Sequence, residues 1–70
     1  MQRKIVSSSN IRSIGYDTLA TTLEIEFNSG GIYQYSGVSN STFQALMNAN
    51  SHGTFFRDFI KDRYPTIKIG

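Results

Sequence analysis

The sequence predicts an α+β domain: a three-stranded antiparallel meander followed by two helices packed on one face of the sheet. Three observations carry this expectation. Thr22 to Phe27 alternates polar and apolar residues, the period of a half-buried strand. Phe43, Leu46, Met47 and Asn50 then follow helical spacing. The candidate strands come before both candidate helices, the order of a layered α+β fold rather than of alternating βαβ units.

Each element has a local reason. Ser7-Ser8-Ser9-Asn10 reads as a turn, and Ile11 to Tyr16 as the first strand. Asp17 to Thr21 makes the connection to the strand at Thr22–Phe27. Asn28-Ser29-Gly30-Gly31 supplies the next turn, because Asn and Gly tolerate positive φ. Ile32 to Ser36 is the third strand. Side chains two apart share a strand face, so Leu23, Ile25 and Phe27 point one way, and Tyr33 and Tyr35 share a face on the next strand. Glu24 and Glu26 read as the wet side of their strand.

The first helix starts with a choice of caps. Ser41 and Gln44 have capping-box spacing, and Ser39 competes as the cap. Asn50-Ser51-His52-Gly53 breaks the helical pattern. The second helix is expected from Thr54 to Arg63, and Pro65 stops it. Phe55, Phe56, Phe59 and Ile60 form its apolar arc, with Arg63 inside that arc and Arg57 and Lys61 on the solvated side. Ile67-Lys68-Ile69 alternates and could add a short terminal edge strand.

Composition narrows the functional classes. Seventy residues make one domain, and a chain this short buries only ~60% of its unfolded surface. Small domains gain stability from disulfides, metals or self-association. There is no cysteine, which excludes disulfides. One histidine and no acidic cluster argue against a metal, so a homo-oligomer is expected. No apolar run approaches the ~20 residues of a membrane span, and Met1 to Val6 lacks the apolar core of a signal peptide. The expected compartment is the cytoplasm. A net charge of +2 with 17% charged residues is mild for a protein that tracks long nucleic acid. Much of the surface is instead Ser, Thr and Asn, which suits a small polar ligand or a protein.

No catalytic set stands out. Nine serines, one histidine and three aspartates supply triad combinations by chance alone, and no nucleophile has a recognisable setting. His52 reads as a turn residue or a cap. Gly30-Gly31 lies between strands rather than before a helix, so it is no phosphate loop. No cofactor is implied, and a non-enzyme is expected. Binding candidates are aromatic and basic. Tyr33 and Tyr35 are either core residues with polar tips or outward rings that stack bases. Tyr16 and Tyr64 are further aromatic candidates. Arg12, Arg57, Lys61 and Arg63 could hold phosphates, the competing reading of Arg57 and Lys61 being a solvated helix face. For Arg63 the competing reading is a bond to carbonyls at its own helix end.

The sequence resembles the KTSC domain, a family named for its place at the C-terminus of some lysyl-tRNA synthetases. The residues that carry the resemblance are Val6 to Ile11, Ile14 to Asp17, Thr22 to Phe27, Ser29 to Tyr35, Gly37-Val38, Phe43 to Met47, Ser51 to Phe56 and Ile60 to Tyr64. Two positions depart from the family pattern. Ser39 stands where proline is usual, and Arg57 where asparagine is common, the latter bearing on binding preference. The resemblance implies a small α+β domain with no established enzyme activity, often standing alone in bacteria and phages. Attachment to a tRNA synthetase implies contact with RNA. The chain is also similar in kind to phage sponges that sequester the cyclic nucleotide signals of bacterial immunity.

The expected function is therefore a non-enzymatic binding module. A nucleotide or cyclic oligonucleotide, sequestered for immune evasion, is the favoured ligand. An RNA-contacting accessory domain is the first alternative. A protein-interaction or structural subunit is the second.

Overall fold

The sheet of the computed structural model, which describes all 70 residues, follows the order of the chain. It runs β1 (Arg3–Ile5), β2 (Ile11–Asp17), β3 (Thr22–Phe27), β4 (Ile32–Ser36) and β5 (Thr66–Lys68), every neighbouring pair antiparallel. The helices α1 (Asn40–Asn48) and α2 (His52–Phe59) lie between β4 and β5.

The expected three-stranded meander is thus the centre of a five-stranded sheet. The added β5 is the edge strand suggested by Ile67-Lys68-Ile69, displaced by one residue. The other addition, β1, carried no sequence signal. It is three exposed residues with no buried face, so it has no alternation to read. What holds it is the ladder to β2, with Arg3 opposite Gly15. Glycine is required there by close approach: a Cβ on Gly15 would lie 2.8 Å from the Gln2 carbonyl oxygen and 2.9 Å from Arg3 Cγ.

Register explains the core. Ile14 pairs with Ile25 and Ile25 with Tyr33; Tyr16 pairs with Leu23 and Leu23 with Tyr35. These rows share one face, which meets Leu46 of α1, Phe56 of α2 and Ile60 just beyond it. Ile11 and Ile14 are three apart, yet both are buried. A register shift between Ile11 and Ser13 absorbs the extra residue, as a bulge does. Ile11, Leu23, Ile25, Val38, Leu46 and Ile60 are fully buried, each burial worth ~1.5–3 kcal/mol for a large aliphatic side chain.

The helices are capped by serines. Ser39 Oγ accepts from Thr42 N–H at 3.2 Å, so Ser39 is the α1 cap and the Ser41 alternative falls. Ser51 Oγ accepts from Thr54 N–H at 3.2 Å, so α2 starts at His52, two residues before the expected Thr54. The same helix ends at Phe59 rather than Arg63. The Ile60 and Lys61 amides both donate to the Phe56 carbonyl, and Asp62 at φ 63° then turns the chain out of the helix. This early end overturns the placement of Arg63 on a buried helical arc. Arg63 is exposed, and so is Phe59, at 56%.

Candidate functional site

Antiparallel topology puts the segment before β2 and the turn after β3 at the same end of the sheet. There Asn28 N–H donates to the Asn10 carbonyl at 2.8 Å, and Asn28 Nδ2 donates to the Ser8 carbonyl at 3.1 Å. The N-terminus of α2 comes up against the same loop: a Cβ on Gly53 would lie 3.2 Å from Asn10 Nδ2. Between these three pieces runs a cleft of about 560 Å³, with Phe27 and Phe56 among its lining and Arg57 and Lys61 along α2 and the turn that follows it. No acidic residue lines it. A second hollow, about 400 Å³, adjoins it through Phe27, Ser29, Phe56 and Lys61, and adds Tyr33, Tyr35 and Asp62. Cleft and hollow together form one trough.

The electrostatics follow from these neighbours. Arg57 Nε donates to Asp58 Oδ1 at 3.0 Å, and this bond with the Asp58 charge raises the guanidinium pKa further. Arg57 is cationic at any physiological pH, and its exposed guanidinium has Asp58 as its partner. The first turn of α2 has no acidic residue to offset the partial positive charge of its amides. Burial, with the nearby Tyr33 and Asp62, pushes the Tyr35 phenol up to about 12. Its hydroxyl remains a neutral hydrogen-bond donor at physiological pH.

The structure brings some candidate residues together and separates others. Arg57 lines the cleft, and Tyr33 and Tyr35 line the adjoining hollow. Tyr35, however, is core, 4% exposed and edge-on to Phe56 at 5.5 Å, and the half-buried Tyr33 packs against that core, edge-on to Phe27 at 5.7 Å. With so little of its ring exposed, Tyr35 offers no open face on which a base could stack. Tyr16 is taken up by the core as well, stacked on Phe43 at 4.6 Å with its hydroxyl bonded to the Val38 carbonyl. Arg12 lies in a shallow depression by β1, beside Glu26 at 3.8 Å. Arg63 and Tyr64 line a third recess, between α1 and α2. Arg63 Nε donates to the Asp58 carbonyl at 3.2 Å, which is the helix-end reading.

The sequence reading named Lys61 with the basic candidates but passed over Asn10, Asn28, Ser51 and Thr54. The available signal was topological. Two Ser/Asn-rich turns flanking β2 and β3 must share a sheet end, and a serine-capped helix start packs there. His52 was read as a turn residue or a cap. It is the first residue of α2, and its Nδ1–H donates to the Leu46 carbonyl at 2.9 Å, tying the two helices.

The open face of the sheet holds a different polar cluster. Glu24, expected on the wet side, is only 6% exposed. Gln34 Nε2 donates to it at 2.9 Å and Arg3 pairs with its other oxygen, while Ser13 Oγ donates to Glu26 at 2.9 Å. Burial raises the Glu24 pKa, but the bonds from Gln34 and Arg3 and the Arg3 charge outweigh it, and the net pKa lies below the ordinary value. These groups satisfy one another. No helix of the chain is long and apolar enough to cross a membrane.

Comparison with known proteins gives this geometry its class. The KTSC domain profile matches residues 7–64, and the chain belongs to the KTSC domain family. The crystal structure of a KTSC domain protein from Yersinia pestis superposes with a TM-score of 0.96 at 49% identity, covering 99% of this chain and 97% of that one. An uncharacterized protein of Stutzerimonas stutzeri is 41% identical over 64 residues, 91% of this chain and 90% of its own length. A lysine--tRNA ligase of Nostoc punctiforme is 41% identical over 56 residues, 80% of this chain. The match spans only 10% of that ligase.

Proposed function

We propose that this protein is a non-catalytic accessory module that contacts RNA, holding backbone phosphates in the cleft beside α2. The observation that carries the proposal is the lining of the cleft. Arg57 and Lys61 stand over amide and hydroxyl side chains with no acid among them. Such a set suits phosphate and ribose oxygens. Similarity to a segment of lysine--tRNA ligases supports RNA over other polyanions.

A compact nucleotide or cyclic oligonucleotide is the second reading, favoured by the size of the cleft, which falls in the range of small-ligand sites. The burial of Tyr35 weakens it, because ring stacking was its main support. Self-association is part of the proposal in either case, and light scattering should give a mass above the 7.9 kDa of one chain.

Fluorescence anisotropy with a short single-stranded RNA, over a salt series, tests the assignment. The expected result is binding that weakens as salt rises, and a shallower slope in Arg57→Gln/Lys61→Gln. Failure to bind RNA, together with a thermal shift by a mono- or cyclic nucleotide, would overturn the RNA reading in favour of the second.

A further inference from the structure

The groove between α1 and α2 carries a feature that the trough does not use. Phe59 is 56% exposed and lies against Phe55, with ring centroids 4.8 Å apart and planes tilted by 37°. Ala45, Tyr64 and Arg63 complete the recess, about 470 Å³, with hydroxyls from the start of α1. An aromatic ring this open is unusual on a 70-residue chain whose other phenylalanines are at least half covered.

Charge indicates what could cover it. No acidic residue lines the groove. Asp58 directs its carboxylate at Arg57, and only its carbonyl receives Arg63 Nε, while Asp62 lines the hollow beside Tyr35. Arg63 forms no ion pair. An exposed ring pair beside an unneutralised guanidinium suits a planar group that carries negative charge, which is the chemistry of a nucleotide in a strand.

Position adds to this. The groove and the phosphate cleft share no lining residue and lie on opposite flanks of α2. A helix is about 10–12 Å across with its side chains, a span that a short extended strand can cover. We infer that single-stranded RNA crosses the outer face of α2, with phosphates at Arg57 and Lys61 and one base stacked on Phe59. This rests on the RNA reading proposed above and extends it to a base-stacking subsite.

The test compares a single-stranded RNA octamer with an otherwise identical oligomer lacking one to three bases, against the parent protein, Phe59→Ala, Phe59→Leu and Phe59→Tyr. Stacking predicts that Phe59→Ala and Phe59→Leu each weaken RNA binding about 5- to 100-fold, that Phe59→Tyr retains it, and that the abasic oligomer binds the parent weakly. Because Phe59 is exposed, circular dichroism should show all three variants folded; the abasic comparison needs no variant at all. Equal binding of RNA and abasic oligomer by the parent overturns the stacking subsite and leaves the phosphate cleft standing. So does full affinity in Phe59→Leu. A fall in oligomeric mass in Phe59→Ala without loss of RNA affinity assigns the ring to a contact between copies and overturns the inference. Failure of the parent to bind either oligomer overturns the RNA reading and the subsite with it.

Discussion

Arg3 reaches across the open face of the sheet to clasp the Glu24 carboxylate, joining the first strand to the third over β2. Gln34 holds the other carboxylate oxygen from β4. The clasp has a pH signature. The Glu24 pKa in the folded protein lies below 4.5, so its contribution to stability is complete above that pH. It is lost as pH falls through the lower folded value. Glu24→Gln should destabilise by ~1–3 kcal/mol at neutral pH. The gap from the parent should narrow in urea titrations as the pH is taken below 4.5 and through the lower folded value.

Tyr35 gives the opposite limb. Its folded pKa of about 12 exceeds the ordinary 10, so stability is full below pH 10 and falls as pH rises through the folded value. Tyr35→Phe removes the titrating hydroxyl while keeping the ring against Phe56. The variant should match the parent to within ~1 kcal/mol at neutral pH. It should outlast the parent at about pH 11, as measured by denaturant unfolding. A variant that lost stability in parallel with the parent would place the alkaline transition on another group.

Thr21 holds φ at 50° in the hairpin between β2 and β3, a region that β-branched residues rarely occupy. Its carbonyl accepts from Val38 N–H at 3.0 Å, which fixes the backbone there. Thr21→Gly should stabilise the fold by up to ~1 kcal/mol, or a rise of about 4–8 °C in Tm per kcal/mol. Differential scanning calorimetry would show it. A fall in Tm would mean that the Thr21 side chain contributes more than its backbone strain removes.

Arg63 separates helix-end bonding from ligand recognition. Lysine can still donate to the Asp58 carbonyl, so Arg63→Lys should cost ~1 kcal/mol or less. It cannot reproduce the planar fork, so RNA affinity should fall while Tm holds. Unchanged affinity would remove Arg63 from the recognition surface.

Legibility in the sequence followed burial. Strands β2 to β4 have one face against the helices, and that contrast writes alternation into Thr22–Phe27. The three-residue β1 has no such face, and its presence depends on Gly15 admitting the backbone of Gln2 and Arg3. The second helix was drawn too long because Arg63 and the aromatic spacing continue the helical period through Ile60. The chain leaves the helix after Phe59, where the Ile60 and Lys61 amides both close on the Phe56 carbonyl. Glu24 was misread because alternation marks a residue's face and says nothing of what covers it. The trough was only half visible: Arg57 and Lys61 were named from charge, but Asn10 and Asn28 meet only through pairing across β2 and β3.

One topological fact has a kinetic consequence. The four N-terminal strands pair with their neighbours in sequence, joined by short turns, whereas β4 and β5 are separated by both helices. Nearby segments meet at small loop-closure entropy, and distant ones wait. The meander can therefore assemble as a local unit, with Tyr35 and Ile25 ready to receive Leu46 and Phe56. The ladder from β4 to β5 closes only after α1 and α2 have docked and brought Pro65 back to Ser36, where their backbones bond at 3.0 Å. The trough residues divide along the same line. Asn10 and Asn28 are placed by the early-forming meander, while Arg57 and Lys61 arrive with the late segment, so the cleft is among the last parts of the molecule to form.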